Sequence, residues 1–173
     1  MYQFNTRLIT LGIIITGILI SVISIGFLLI KPSDESGKSP ILPDQVAGLR
    51  VTNTTFGKEA LREIVQLHGK EFPLISGAVG LYGEKNQVII WVAEAEDAPA
   101  AEEILLAMHN RIAEGKSPFT PTGELQNGKR TIYSLAGLDQ AHIYFQSGKQ
   151  IVWMAAEGTL LQKAMQQVVV LYP

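Results

Sequence analysis

The sequence predicts an α+β protein: a single N-terminal transmembrane helix followed by a two-layer domain, with a mainly antiparallel sheet and its helices on one face. Three observations predict it. An uncharged apolar stretch runs from Leu8 to Ile30. Strand-like runs further on are separated by short turn signals, which favour hairpins and hence antiparallel pairing. And two stretches read almost alike, "QVIIWVAEAE" from Gln87 and "QIVWMAAEGT" from Gln150, each a β-rich run leading into a helical pattern.

The apolar stretch comes first. As a helix rising about 1.5 Å per residue, Leu8 to Ile30 reaches roughly 35 Å, enough for a hydrocarbon core of about 30 Å. A cleavable leader has a shorter apolar run and a small-x-small cleavage site, whereas here "FLLIKPSD" follows without a break, so residues 1–30 read as a retained anchor in the lipid bilayer. Thr10, Gly17, Ser21 and Ser24 project within about 60° of one another at 100° per residue. That small-residue stripe suits close packing against another transmembrane helix, a partner's or a second copy's. Arg7 lies on one side of the stretch and Lys31, Lys38 and Arg50 on the other, so the positive-inside count is nearly balanced. The order of basic start, apolar stretch and polar spacer favours an exported domain.

Residues 31–44, "KPSDESGKSPILPD", are rich in Pro, Ser and charge and read as a linker. The α+β domain then covers residues 45–173. "GLRVTNTT" suggests an opening strand, and "GKEALREIVQLHG" follows with Leu61, Ile64, Val65 and His68 at helical spacing and Gly69 at its stop. "ISGAVGLYG" and "QVIIWVAEA" read as a hairpin turning at "EKN". Asp97 can cap the next helix, which carries Pro99 in its first turn and Ala101, Ile104, Leu105, Met108 and Ile112 as its apolar stripe. "EGKSPFTPTGE" reads as the longest irregular stretch. Asn127-Gly128, Gly137 with Asp139, and Ser147-Gly148 mark reversals between the later strands, and a closing helix carries Leu161, Ala164, Met165, Val168 and Leu171. The two near-copies therefore admit a domain built from two β-β-α units. The layout resembles, in outline, ferredoxin-like α+β sandwiches and the sandwich of photosystem-associated extrinsic subunits, and no function is carried over from that outline.

Several chemistries are excluded or unsupported by the residues. The chain holds no Cys, which removes disulfides, thiolate metal sites and cysteine nucleophiles. A formal charge of −2 without a basic tract leaves nucleic acid no electrostatic footprint. "GAVGLYG" and "SGKQ" lack the spacing of phosphate-binding loops, and no Ser lies in G-x-S-x-G. His68, His109 and His142 stand on different elements without paired-ligand spacing, and the acidic run "EAEDAPAAEE" fits a helix N-terminus better than a cation loop. No cofactor and no metal is expected.

The strand "QAHIYFQ" supplies the candidate surface. Alternation places Gln140, His142, Tyr144 and Gln146 on one face and Ala141, Ile143 and Phe145 on the other, so helices over the second would leave the first an open platform of amide, imidazole and phenol groups. Phe119, between Pro118 and Pro121, projects from the loop nearby. The sequence thus points to a membrane-anchored, non-catalytic accessory or assembly domain presenting its surface to a protein partner. The alternative is a binding module for a small polar ligand or cation around His142 and Tyr144. A hydrolase using His142 as base ranks third and needs a second titratable group beside that imidazole.

Overall fold

Short-range pairing organises nearly the whole sheet. In chain order the elements are β1 (Gln45–Val46), β2 (Leu49–Phe56), α1 (Gly57–His68), β3 (Leu74–Tyr82), β4 (Val88–Ala95), α2 (Ala98–Ala113), β5 (Thr120–Asn127), β6 (Arg130–Gly137), β7 (Gln140–Ser147), β8 (Gln150–Ala156) and α3 (Gly158–Leu171). The structure is a computed structural model and describes residues 40–68 and 72–173. The predicted anchor, with Thr10, Gly17, Ser21 and Ser24, lies outside the described residues. Among the described residues no helix is long and apolar enough to cross a membrane.

The eight strands form one antiparallel sheet in the order β1-β2-β3-β4-β8-β7-β6-β5. Two meanders, β1 to β4 and β5 to β8, meet at the β4–β8 pair. There Trp91 lies directly opposite Trp153, so the two near-copies of the sequence are neighbours at the centre of the sheet.

The expectation of helices on one face is corrected. On β4, Val88, Ile90 and Val92 belong to a core that includes Ala164, Val168 and Val169 of α3, together with Ile143, Phe145, Val152 and Met154. The alternate residues Ile89, Trp91 and Ala93 belong to a second core with Ala60 and Ile64 of α1 and Ala101, Leu105 and Met108 of α2. The sheet is therefore sandwiched, with α1 and α2 on one side and α3 on the other. The cause is written in β4 itself: "VIIWVAEA" is apolar at consecutive positions, so both faces must be covered. The two β-β-α units thus send their closing helices to opposite faces.

Local chemistry sets the boundaries. Asp97 caps α2, its Oδ1 accepting from the Ala100 N–H at 2.8 Å, and Pro99 occupies the first turn where its missing N–H costs nothing. The hairpin loops differ by one residue from the sequence reading. Asn127 pairs with Arg130 and Ser147 with Gln150, so the loops are Gly128-Lys129 and Gly148-Lys149, with glycine first at φ 64° and 56°. A glycine of positive φ in the first loop position is the type II′ arrangement, which matches strand twist. "TPTGE", read as the end of the irregular stretch, is the first part of strand β5: pairing with β6 overrides its Pro and Gly, and the ladder slips between Pro121 and Gly123 as those residues require.

Candidate functional site

The α1/α2 face of the sheet carries an aromatic ladder. Tyr133 of β6, Tyr144 of β7 and Trp153 of β8 lie opposite one another in register, and their rings stack at 4.9 Å and 5.1 Å between centroids, tilted by 19° and 14°. Trp91 of β4 continues the row. Stacked cross-strand aromatics stiffen a sheet, each contact adding about 0.5–1 kcal/mol.

Two imidazoles are built into this ladder. The Trp153 indole N–H donates to His142 Nδ1 at 3.1 Å, and His142 Nε2 lies 2.9 Å from the Gly137 carbonyl oxygen. An indole nitrogen only donates and a carbonyl only accepts, so Nδ1 is bare and Nε2 carries the hydrogen: the ring is neutral and its tautomer is fixed. Phe119 closes over it, 4.8 Å from the His142 ring and 5.0 Å from the Trp153 ring. Gly137 makes that closure possible, because a Cβ there would stand 2.6 Å from Phe119 Cδ1. His109 of α2 packs against Tyr133 at 4.5 Å between ring centroids, tilted by 42°, with its Nδ1 3.0 Å from the Tyr144 hydroxyl.

Burial tunes both groups. Desolvation holds the His142 imidazole below its ordinary pKa, opposed by the Gly137 hydrogen bond. Desolvation pushes the Tyr144 hydroxyl well above the ordinary phenol range, helped by Tyr133 and Glu124. A neutral imidazole with both nitrogens engaged beside a fully protonated phenol is suited to fixing ring positions. The hydrolase reading needs a second titratable group beside His142; what meets the two ring nitrogens is the Trp153 indole and the Gly137 carbonyl.

The expected open platform is corrected on the same grounds. Gln140, His142, Tyr144 and Gln146 do share one face, but α2 and the Phe119 loop cover it, leaving His142 3% and Tyr144 1% exposed. Gln140 and Gln146, at the two ends of β7, are half-buried. Gln146 is spoken for as well, its Nε2 donating to the carbonyls of Ala98 and Gly148 at 2.8 Å each. Phe119 does join His142, as part of its packing. Sequence reasoning missed Trp153, Tyr133 and His109 as members of this network. The repeated Trp was the available signal for the first, and hairpin register the signal for the second.

The acidic run resolves into separate roles. Glu94 is buried and pairs with the Lys149 ammonium at 2.5 Å, Asp97 caps α2, and Glu96, Glu102 and Glu103 are exposed. Among the described residues no group of three or more His, Asp or Glu is placed to hold a metal ion.

What the molecule leaves open lies at its β5 side. All eight residues of β5 are exposed, and among the described residues its outer edge has no neighbour in the sheet. Because Asn127 and Arg130 close a two-residue loop, ladder alternation turns the N–H and C=O of Gln126 and Glu124 to that outer edge. Pro121 and the slip beside it confine regular pairing to Gly123–Asn127. Beside this ribbon is an open cleft of about 610 Å³, bordered by Leu105 and Leu106 of α2, Lys129, Arg130 and Tyr133 of the hairpin, and Gln146. Arg130 is held from behind: its Nη2 donates to the Val169 carbonyl at 2.6 Å and its Nη1 to the Tyr172 carbonyl, with the guanidinium 4.8 Å above the Phe145 ring.

No protein-family model, curated protein or solved structure matches the chain.

Proposed function

We propose that this chain is a membrane-anchored, non-catalytic accessory domain that binds a protein partner by adding a short extended segment of that partner to β5. The observation that carries the reading is the β5 edge, exposed along its whole length and, among the described residues, unpaired on its outer side. An unpaired edge offers a row of backbone donors and acceptors to an incoming strand, and side-chain pockets beside it supply selectivity. Here the adjoining cleft, with exposed Leu106 and the Lys129 ammonium, favours a partner segment with an apolar residue and a carboxylate in alternate positions. Regular pairing over Gly123–Asn127 limits the added strand to about five residues. The sequence-level anchor from Leu8 to Ile30 supplies the membrane tether, and the order of charges around it favours an exported domain.

The test is photocrosslinking of the full chain in its native membranes from a reporter at Gln126, with Lys85 as control position. The expected result is one crosslinked partner from position 126, lost on Glu124→Pro, which deletes an outward N–H, while far-UV and near-UV circular dichroism stay unchanged. Crosslinks of equal strength from Lys85, or persistence of the crosslink in the proline variant, would remove β5 as the binding edge.

A further inference from the structure

Three exposed apolar side chains lie on two segments that meet where the described chain begins, the entering chain and the C-terminal turn of α3. Ile41 is 74% exposed, Val170 79% and Leu171 39%, although α3 has a buried face available. They are tied to one place, because the Tyr172 hydroxyl donates to the Ile41 carbonyl, joining the entering chain to the C-terminal end of α3. Cations border the same place. Arg130 donates to the carbonyls of Val169 and Tyr172, and Lys129 is the exposed residue next to it in the β5–β6 loop.

The length of chain upstream says what covers this patch. From Ile30, the last residue of the apolar stretch, to Pro40 are ten residues, which can span at most roughly 35 Å. A chain end held that close to a bilayer keeps Ile41 and its neighbours within reach of the headgroups. Aliphatic side chains flanked by Lys and Arg have the composition of interfacial membrane contacts, the former entering the acyl boundary and the latter meeting anionic lipid.

We infer that the end of the domain formed by Ile41, Val170 and Leu171, with Lys129 and Arg130 at its rim, rests on an anionic lipid surface. The contact orients the domain with its α3 C-terminal end towards the bilayer. The opposite end of the sheet, where the β6–β7 turn carries Leu138, points away. This inference rests on the reading of Leu8 to Ile30 as a retained anchor.

Because the chain has no cysteine, single reporters can be placed cleanly. Val170→Cys, Ile41→Cys and Leu138→Cys are each labelled with an environment-sensitive fluorophore in the full chain. Each is reconstituted into vesicles of mixed phosphatidylcholine and phosphatidylglycerol containing brominated acyl chains, with no other protein present. The expected result is quenching at positions 170 and 41 several-fold stronger than at 138, and reduced by replacing phosphatidylglycerol with phosphatidylcholine. Quenching at 170 no greater than at 138, with the chain resistant to carbonate extraction, would overturn the docked orientation and leave the anchor standing. Release of the chain by carbonate would overturn the anchor, and this inference with it.

Discussion

His142→Phe isolates the polar centre of the aromatic ladder. Phenylalanine keeps an aromatic ring in the space beneath Phe119 but removes the acceptor for the Trp153 indole N–H and the donor to the Gly137 carbonyl. Leaving two such groups unpaired costs on the order of 1–3 kcal/mol each in a fully buried setting. Trp153 is only half-buried and regains part of that from water, so a net loss of about 2–4 kcal/mol is expected at pH 7.5. A second signature separates the imidazole from its volume. The folded state holds the His142 pKa below its unfolded value near 6.5, so on acidification the unfolded chain takes up the proton first. The wild-type protein is therefore at full strength above about pH 6.5 and weakens as pH falls below it, by at most about 1.4 kcal/mol per pH unit from this group. Urea unfolding of the detergent-solubilised full chain, followed by tryptophan fluorescence at pH 7.5 and 5.5, measures both effects. The wild type should lose up to about 1.4 kcal/mol more than the variant between the two pH values. Equal losses, or a variant as stable as the wild type at pH 7.5, would refute the assignment of a neutral, doubly bonded imidazole.

Two further outcomes follow from backbone and terminal contacts. The β6–β7 loop places Leu138 and Asp139 at φ 51° and 60°, a type I′ turn made without its preferred residues, so Leu138→Asn with Asp139→Gly should stabilise the fold by about 1 kcal/mol and raise the melting temperature by a few degrees. No change, or a loss, would mean that the turn tolerates left-handed leucine without strain. Arg130→Met keeps much of the stem packed on Phe145 but frees the carbonyls of Val169 and Tyr172, and should cost about 1–2 kcal/mol while speeding amide exchange selectively in the last turn of α3. Uniform exchange along α3 would argue against that clamp.

Much of the architecture was legible because its signals are local. The Asp97 cap, Pro99 and the apolar spacing of residues 101–112 define α2 within a single turn's reach, and the hairpins announce themselves through glycine. The side on which each helix lands was misread, since a rule of one covered face was applied to strands that are apolar on both. The consecutive apolar residues of β4 carried the contrary signal. The first half of β5, Thr120 to Gly123, reads as irregular because its Pro and Gly oppose a strand and only pairing with β6 makes it one. The face holding Gln140, His142, Tyr144 and Gln146 was read correctly as a face, yet its burial depends on α2 and Phe119, which come from other parts of the chain. Strand periodicity records which side chains travel together and says nothing about what will later lie on top of them.

The meeting of β4 with β8 has a consequence for how the molecule comes together. Every other strand pair joins neighbours in sequence, so each half can zip up from its own turns, while the Trp91–Trp153 crossing must wait for segments some sixty positions apart to find each other. That one closure decides whether the protein completes itself or completes a sister molecule. An open β4 edge can accept β8 from another chain as well as its own, so crowding of newly made chains would favour exchanged pairs over solitary ones.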